Sequence, residues 1–112
     1  MGAAQLPIEI EQGSNFRLVV TLVGGPDSWT GYTGRMQIRA QKSSSEVLFD
    51  TSEITVDTIN KQAVLEISAV DTAEFDWTNG SYDVLLTSGD EQDAYRVVEG
   101  KVKVDHSVTR ED

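Results

Sequence analysis

Cysteine is absent from this 112-residue chain, histidine occurs once and proline twice. Without cysteine there is no disulfide and no thiolate chemistry, which excludes a disulfide-stapled scaffold while fixing no compartment. Basic residues are scarce too: 9 Lys and Arg stand against 19 Asp and Glu, a formal net charge of −10. A surface of that sign repels phosphate and anionic lipid, so neither nucleic acid nor membrane is expected as a partner. No stretch approaches the roughly 20 apolar residues that span a bilayer. Met1-Gly2-Ala3-Ala4-Gln5 lacks the basic region and apolar run of a signal peptide, so synthesis and folding in a cytoplasm are expected.

Catalytic signatures are missing as well. There is no Gly-x-Ser-x-Gly elbow, no phosphate loop and no His-Glu-x-x-His helix. Ser43-Ser44-Ser45 reads as turn polarity. His106, beside Asp105, has the character of a solvated residue near a terminus. Carboxylates are plentiful, but no cleft is implied that would raise the pKa of one of them for acid–base work. The expectation is a protein that is not an enzyme and carries no cofactor.

What is present is alternation. Tyr82, Val84 and Leu86 share one face of a strand, and after the acidic loop Ser88–Asp93 the residues Val98, Val102 and Val104 share one face of the returning run. Lys101 and Lys103 fall on the opposite side. This predicts a long antiparallel hairpin, Gly80–Thr87 with Ala94–Asp105. A hairpin alone is marginal in water, so its apolar face needs a second sheet.

The remaining runs supply it. Leu6, Ile8 and Ile10 alternate around Pro7, which cannot donate to a ladder and marks an edge strand. Phe16, Leu18, Val20 and Leu22 point inward, while Val19 and Val23 make the second face partly apolar. That predicts a central strand covered on both sides. Gly24-Gly25-Pro26-Asp27-Ser28 turns the chain into a loop holding Trp29 and Tyr32. Met36, Ile38 and Ala40 form the inner face of a third strand. Val47-Leu48-Phe49, Ile54-Thr55-Val56 and Ala63–Ile67 are further short strands. Ser68, able to cap, with Asp71 three residues on, predicts one or two helical turns ending before Asn79-Gly80.

The pattern is about seven to nine short strands at spacings of roughly 8 to 12 residues. It specifies an all-β fold, an immunoglobulin-like antiparallel β-sandwich with one short helical turn. Residues 1–105 form a single domain, and 106–112 a polar C-terminal tail. Tyr82 is placed to act as a corner tyrosine whose hydroxyl needs a backbone acceptor.

Two groups of residues stand out as possible sites. Asp90, Glu91 and Asp93 are the best oxygen donors for calcium, although their spacing does not match a calcium-loop pattern and a solvated hairpin tip is the competing reading. Trp29, Tyr32, Phe75 and Trp77 lie in connecting segments. They either plug the two open ends of the sandwich or anchor neighbouring subunits, as interface aromatics do. On the anchoring reading, Trp29→Ala or Trp77→Ala leaves a folded monomer that assembles poorly. A flanking edge strand offers a further surface, by strand addition to a partner.

Several of these pieces resemble a known family. Gly13-Ser14-Asn15-Phe16 entering a strand, Trp29-Thr30-Gly31 before Arg35-Met36-Gln37-Ile38-Arg39, and Thr72-Ala73 before Gly80-Ser81-Tyr82-Asp83-Val84 carry the resemblance, with Glu99–Val104 and Val108-Thr109-Arg110. They are similar to the immunoglobulin-like domains at the N-terminus of baseplate upper proteins and in other tail and head appendage proteins of tailed phages. The resemblance runs from about Glu11 to Arg110 and departs at Trp29, where leucine is more usual. It implies a structural or adaptor module of the virion, made in the host cytoplasm and present in several symmetric copies or as a homo-oligomer, whose partners are other virion proteins. A tail-tip, baseplate or fibre-attachment position comes first. A capsid decoration (head-stabilising) protein comes second, and a carbohydrate-binding module third.

Overall fold

A computed structural model describes residues 3–108. The chain runs β1 (Ala4–Gln5), β2 (Ile8–Glu11), β3 (Phe16–Thr21), β4 (Thr33–Arg39), β5 (Val47–Thr51), β6 (Ile54–Asp57), β7 (Gln62–Ile67), α1 (Ala69–Ala73), β8 (Asn79–Thr87) and β9 (Ala94–Asp105). One sheet has the order β1-β9-β8-β4-β5, with β2 also paired to β9; the other has the order β3-β7-β6. The predicted hairpin is β8–β9, and it forms the centre of the larger sheet. Chain direction switches sheets at β2–β3, β3–β4, β5–β6 and β7–β8, which makes the fold an all-β, immunoglobulin-like sandwich with one helical turn at the last crossing.

Alternation explains the core. Met36 and Ile38 from β4, Leu65 and Ile67 from β7, Tyr82, Val84 and Leu86 from β8, and Val98, Val102 and Val104 from β9 are all buried between the sheets. Ala40 lies past the end of β4 and is exposed, so the inward residues of that strand are Gly34, Met36 and Ile38, and Ala40 is not among them. In β9 the register shifts: Val84 faces Val98, but Leu85 faces Arg96. Val97 is the extra residue of a β-bulge, which buries Val97 and Val98 together at 3% and 1% exposure and breaks the simple two-residue period.

The N-terminal edge strand is two pieces, both parallel to β9. Ala4 and Gln5 pair with Val98 and Glu99, and Ile8 to Glu11 pair with Val102 to Asp105. Between them the Leu6-Pro7 kink presses onto Gly100. A Cβ on Gly100 would stand 2.3 Å from the Leu6 carbonyl oxygen, so this crossing requires a glycine. The kink also breaks the expected alternation: Ile8 and Ile10 are buried, whereas Leu6 is 39% exposed.

The Tyr82 hydroxyl closes this crossing by donating to the Leu6 carbonyl at 2.7 Å. A corner tyrosine would bond backbone a few residues upstream. Here the acceptor lies 76 residues back and ties the first strand to the middle of the sheet. Burial pushes the Tyr82 phenol up to about 12. Because the folded value is raised above the unfolded one near 10, the neutral form contributes stability that is complete below about pH 10 and lost as pH rises towards 12. Tyr82→Phe leaves the Leu6 carbonyl without its donor and is expected to cost about 1–3 kcal/mol. It should speed hydrogen exchange in β2 and flatten the alkaline loss of stability. Exchange in β2 equal to the wild type would show that the hydroxyl is not what holds the strand.

Helix α1 forms as its sequence specifies. Ser68 Oγ accepts from the Asp71 backbone N–H at 3.2 Å. Asn15 Oδ1 takes the Ala69 N–H at 2.8 Å, and fully buried Thr72 donates to the Ser14 carbonyl and accepts from the Gly13 N–H. The β2–β3 turn and the helix are thus one bonded unit.

Candidate docking surfaces

The two aromatic pairs lie at opposite ends of β8. Trp29, Tyr32 and the β9 residue Tyr95 cluster beside the β8–β9 hairpin tip: Trp29 meets Tyr32 and Tyr95 edge-on, with ring centroids 5.0 and 5.5 Å away. Gly31, at φ +84°, lets the Trp29–Tyr32 loop turn tightly enough to reach the tip. At the other end Phe75 packs against Phe49 and Trp77, both at 5.0 Å.

Trp29 and Phe75 are core side chains, 2% and 4% exposed, which removes both from the possible anchors. Trp29→Ala is therefore expected to destabilise the fold itself and not to leave a monomer of wild-type stability that only assembles poorly. Tyr32, Trp77 and Tyr95 are half-buried and present one side to solvent. Tyr95 was not singled out by the sequence, because it stands inside a strand.

The acidic loop arrives at the same end as Trp29 and Tyr32. One of its carboxylates is engaged within the turn: Asp90 Oδ1 accepts from Ser88 Oγ at 2.6 Å and from the Gln92 N–H at 3.0 Å. These bonds hold the Asp90 carboxyl below its usual range. Among the described residues no group of three or more Asp, Glu and His is placed to hold a metal ion, so Asp90, Glu91 and Asp93 do not converge as calcium ligands. The loop does act on its neighbour. The Tyr32 phenol is pushed up, first by burial and then by Tyr95, Asp93 and Asp90.

His106 is exposed and its Nε2 lies 3.0 Å from Thr78 Oγ1. Ser107 donates its N–H to Gln12 Oε1 at 3.0 Å, while Gln12 Nε2 donates to the Phe75 carbonyl at 2.9 Å. The first residues of the expected 106–112 tail are thus bonded to the sandwich, and residues 109–112 lie outside those described.

The outer faces of the two sheets differ in kind. On the larger sheet the charges pair with each other. Arg35 and Gln37 both donate to Asp50, Arg39 donates to Gln37 Oε1 and the Ser44 carbonyl, and Glu99 is shared by Lys42 and Arg96, which also reaches Asp83. The Lys42 hydrogen bond holds the Glu99 carboxyl below its ordinary value despite partial burial. The exposed pairs, Arg35–Asp50 and Arg96–Asp83, contribute only about 0–1 kcal/mol each.

The three-stranded sheet presents a different surface. Strand β3 pairs with β7 alone, so it is an edge and not the central strand the sequence suggested. Nothing else in the described chain covers its outer face, where Val19 is 43% exposed; Val23, just past the end of the strand, is 74% exposed. Val64 of β7 lies directly across from Val19. On the inner side Val20 and Leu22 are buried, but Phe16 and Leu18 are only half-covered, as though one further strand were needed beside them. At the foot of this face an open groove of about 770 Å³ is lined by Asn15, Phe16, Arg17, Ile54, Glu66 and Asp71. This edge of six residues has one charge, Arg17, and no proline, lysine or acidic side chain, which is light protection for an open sheet edge.

No family model matches the chain, and no curated protein sequence matches it.

Proposed function

We propose that this chain is a non-enzymatic docking module, a structural protein of a tailed-phage virion that acts through protein–protein contacts at a tail-tip, baseplate or fibre-attachment position. The observation that carries the docking part is the uncovered β3 edge, with Phe16 and Leu18 half-sheltered and Val19 and Val23 facing water. An apolar strand edge joins a neighbour by continuing the ladder, main chain to main chain. The virion assignment rests on the resemblance in Gly13–Phe16, Trp29–Gly31 and Thr72-Ala73. The bonding of Gly13, Ser14 and Asn15 to Thr72 and Ala69 gives those separated pieces one structural purpose in this fold.

Mass spectrometry of purified parent particles is expected to find the chain in stoichiometric amounts. Val19→Lys, at an exposed position, should keep the wild-type urea midpoint while its incorporation into particles falls tenfold or more. Absence of the chain from particles would overturn the virion assignment, and full incorporation of the variant would overturn the role of β3. A capsid decoration role differs only in position on the particle, which electron cryomicroscopy separates. Carbohydrate binding draws on one observation, the half-exposed Tyr32 and Tyr95 beside Asp90 and Asp93. A glycan array silent towards the isolated domain would dispose of it.

A further inference from the structure

Building on the docking role of β3, we propose that its first partner is a second copy of this chain, joined β3 to β3 across a two-fold axis so that two three-stranded sheets become one of six. The strand sequence is self-complementary in that geometry. An axis perpendicular to the sheet keeps Phe16, Leu18 and Val20 of both copies on the same interior side, which fixes the parity of the register. Centring the axis on Val19 sets Val19 against the partner's Val19, Leu18 against the partner's Val20, and Phe16 against the partner's Leu22. Arg17, the only charge in the strand, then faces the uncharged Thr21 of the partner subunit. Moving the centre to Arg17 would set like charges directly opposite, which is unfavourable.

Charge favours the same surface. Each copy carries a net −10, so an approach through most faces brings acid against acid. Along β3 the only ionised side chain is Arg17, matched within its own sheet by Glu66 across the ladder. The inner half-covered Phe16 and Leu18 gain shelter from the neighbouring strand, and no groove or rearrangement is required. Two short strands form a contact at the small end of specific interfaces. Association of the isolated chain is therefore weak, in the micromolar range or above, and is reinforced on a particle by multivalency.

Sedimentation velocity on the whole chain over a wide concentration range tests this. The expected result is a monomer–dimer equilibrium that strengthens from about 0.1 M to about 1 M salt, as screening relieves the long-range repulsion. Val19→Lys and Val19→Glu should each be monomeric, and an equal mixture of the two should dimerise, because the axis sets those side chains face to face. Leu85→Lys, on the exposed face of the other sheet, should dimerise like the wild type. A wild-type chain monomeric at every concentration and salt, or a mixture that stays monomeric, would overturn the two-fold β3 pairing. Circular dichroism of each variant confirms folding before it is scored. Monomers in solution combined with poor particle incorporation of Val19→Lys would reject the dimer alone and leave the docking role standing.

Discussion

Gly100→Ala is expected to cost about 3–5 kcal/mol, a large share of the roughly 5–15 kcal/mol that holds a domain of this size together. The added methyl would stand 2.3 Å from the Leu6 carbonyl oxygen, 2.7 Å from its carbon and 3.2 Å from the Pro7 nitrogen. All three are backbone atoms, and Pro7 has the least freedom of any residue to move aside. Relief requires the Leu6-Pro7 segment to lift away from β9. That motion breaks the Leu6 N–H bond to the Glu99 carbonyl and the Tyr82 hydroxyl bond to Leu6. A lost donor to a buried carbonyl costs about 1–3 kcal/mol. Partial exposure of Ile8 and Ile10 adds more, since full exposure of each would cost about 1.5–3 kcal/mol. Urea denaturation should show the midpoint shift, and hydrogen exchange should show β2 opening first. A variant within about 1 kcal/mol of the wild type, below the usual range for a mutation that strains a core contact, would mean that the strand crossing is looser than its geometry.

Trp29→Ala should be comparably damaging, at about 3–5 kcal/mol. Its ring is 2% exposed and fills the end of the sandwich between Tyr32 and Tyr95, which lose their edge-on contacts when it goes. The cavity is bounded by two loops and a strand end, so collapse can recover part of the loss, and the lower half of the range is favoured. Tyr32→Ala, at a half-exposed ring, should cost clearly less and leave a folded chain. The ordering of the two, read as thermal midpoints, is the check. If Trp29→Ala melts with the wild type and Tyr32→Ala does not, the tyrosine and not the tryptophan supports that end.

Strand identity was legible wherever one face is wet. The β8–β9 hairpin, Met36 and Ile38 of β4, the inward set of β7, and the Ser68 cap all follow from alternation or from a three-residue spacing, because burial is imposed locally at those positions; Ala40 breaks the rule because β4 ends before it. Partnership was not legible in the same way. Alternation says which residues of β2 are inside, but it does not say that the strand runs parallel to β9, nor that Leu6 leaves the pattern to let its carbonyl meet Tyr82. Val97-Val98 fits either face until a bulge buries both. The reading of β3 failed for an instructive reason. Val19 and Val23 make the second face apolar, a pattern that specifies cover on both sides without saying what supplies it. Among the described residues none supplies it, which leaves β3 an open edge. Of the site residues, Tyr32 and Trp77 keep a solvent side, Trp29 and Phe75 went to the core, and Tyr95 was hidden by its place in a strand.

The central claim is that neighbours meet this sandwich along β3. An electron cryomicroscopy map of the parent particle at side-chain resolution tests it directly. The account predicts density for a foreign strand hydrogen-bonded beside residues 16–21, with Val19 and Val23 covered. A domain seated in the particle through other surfaces, with β3 open to solvent, would contradict it.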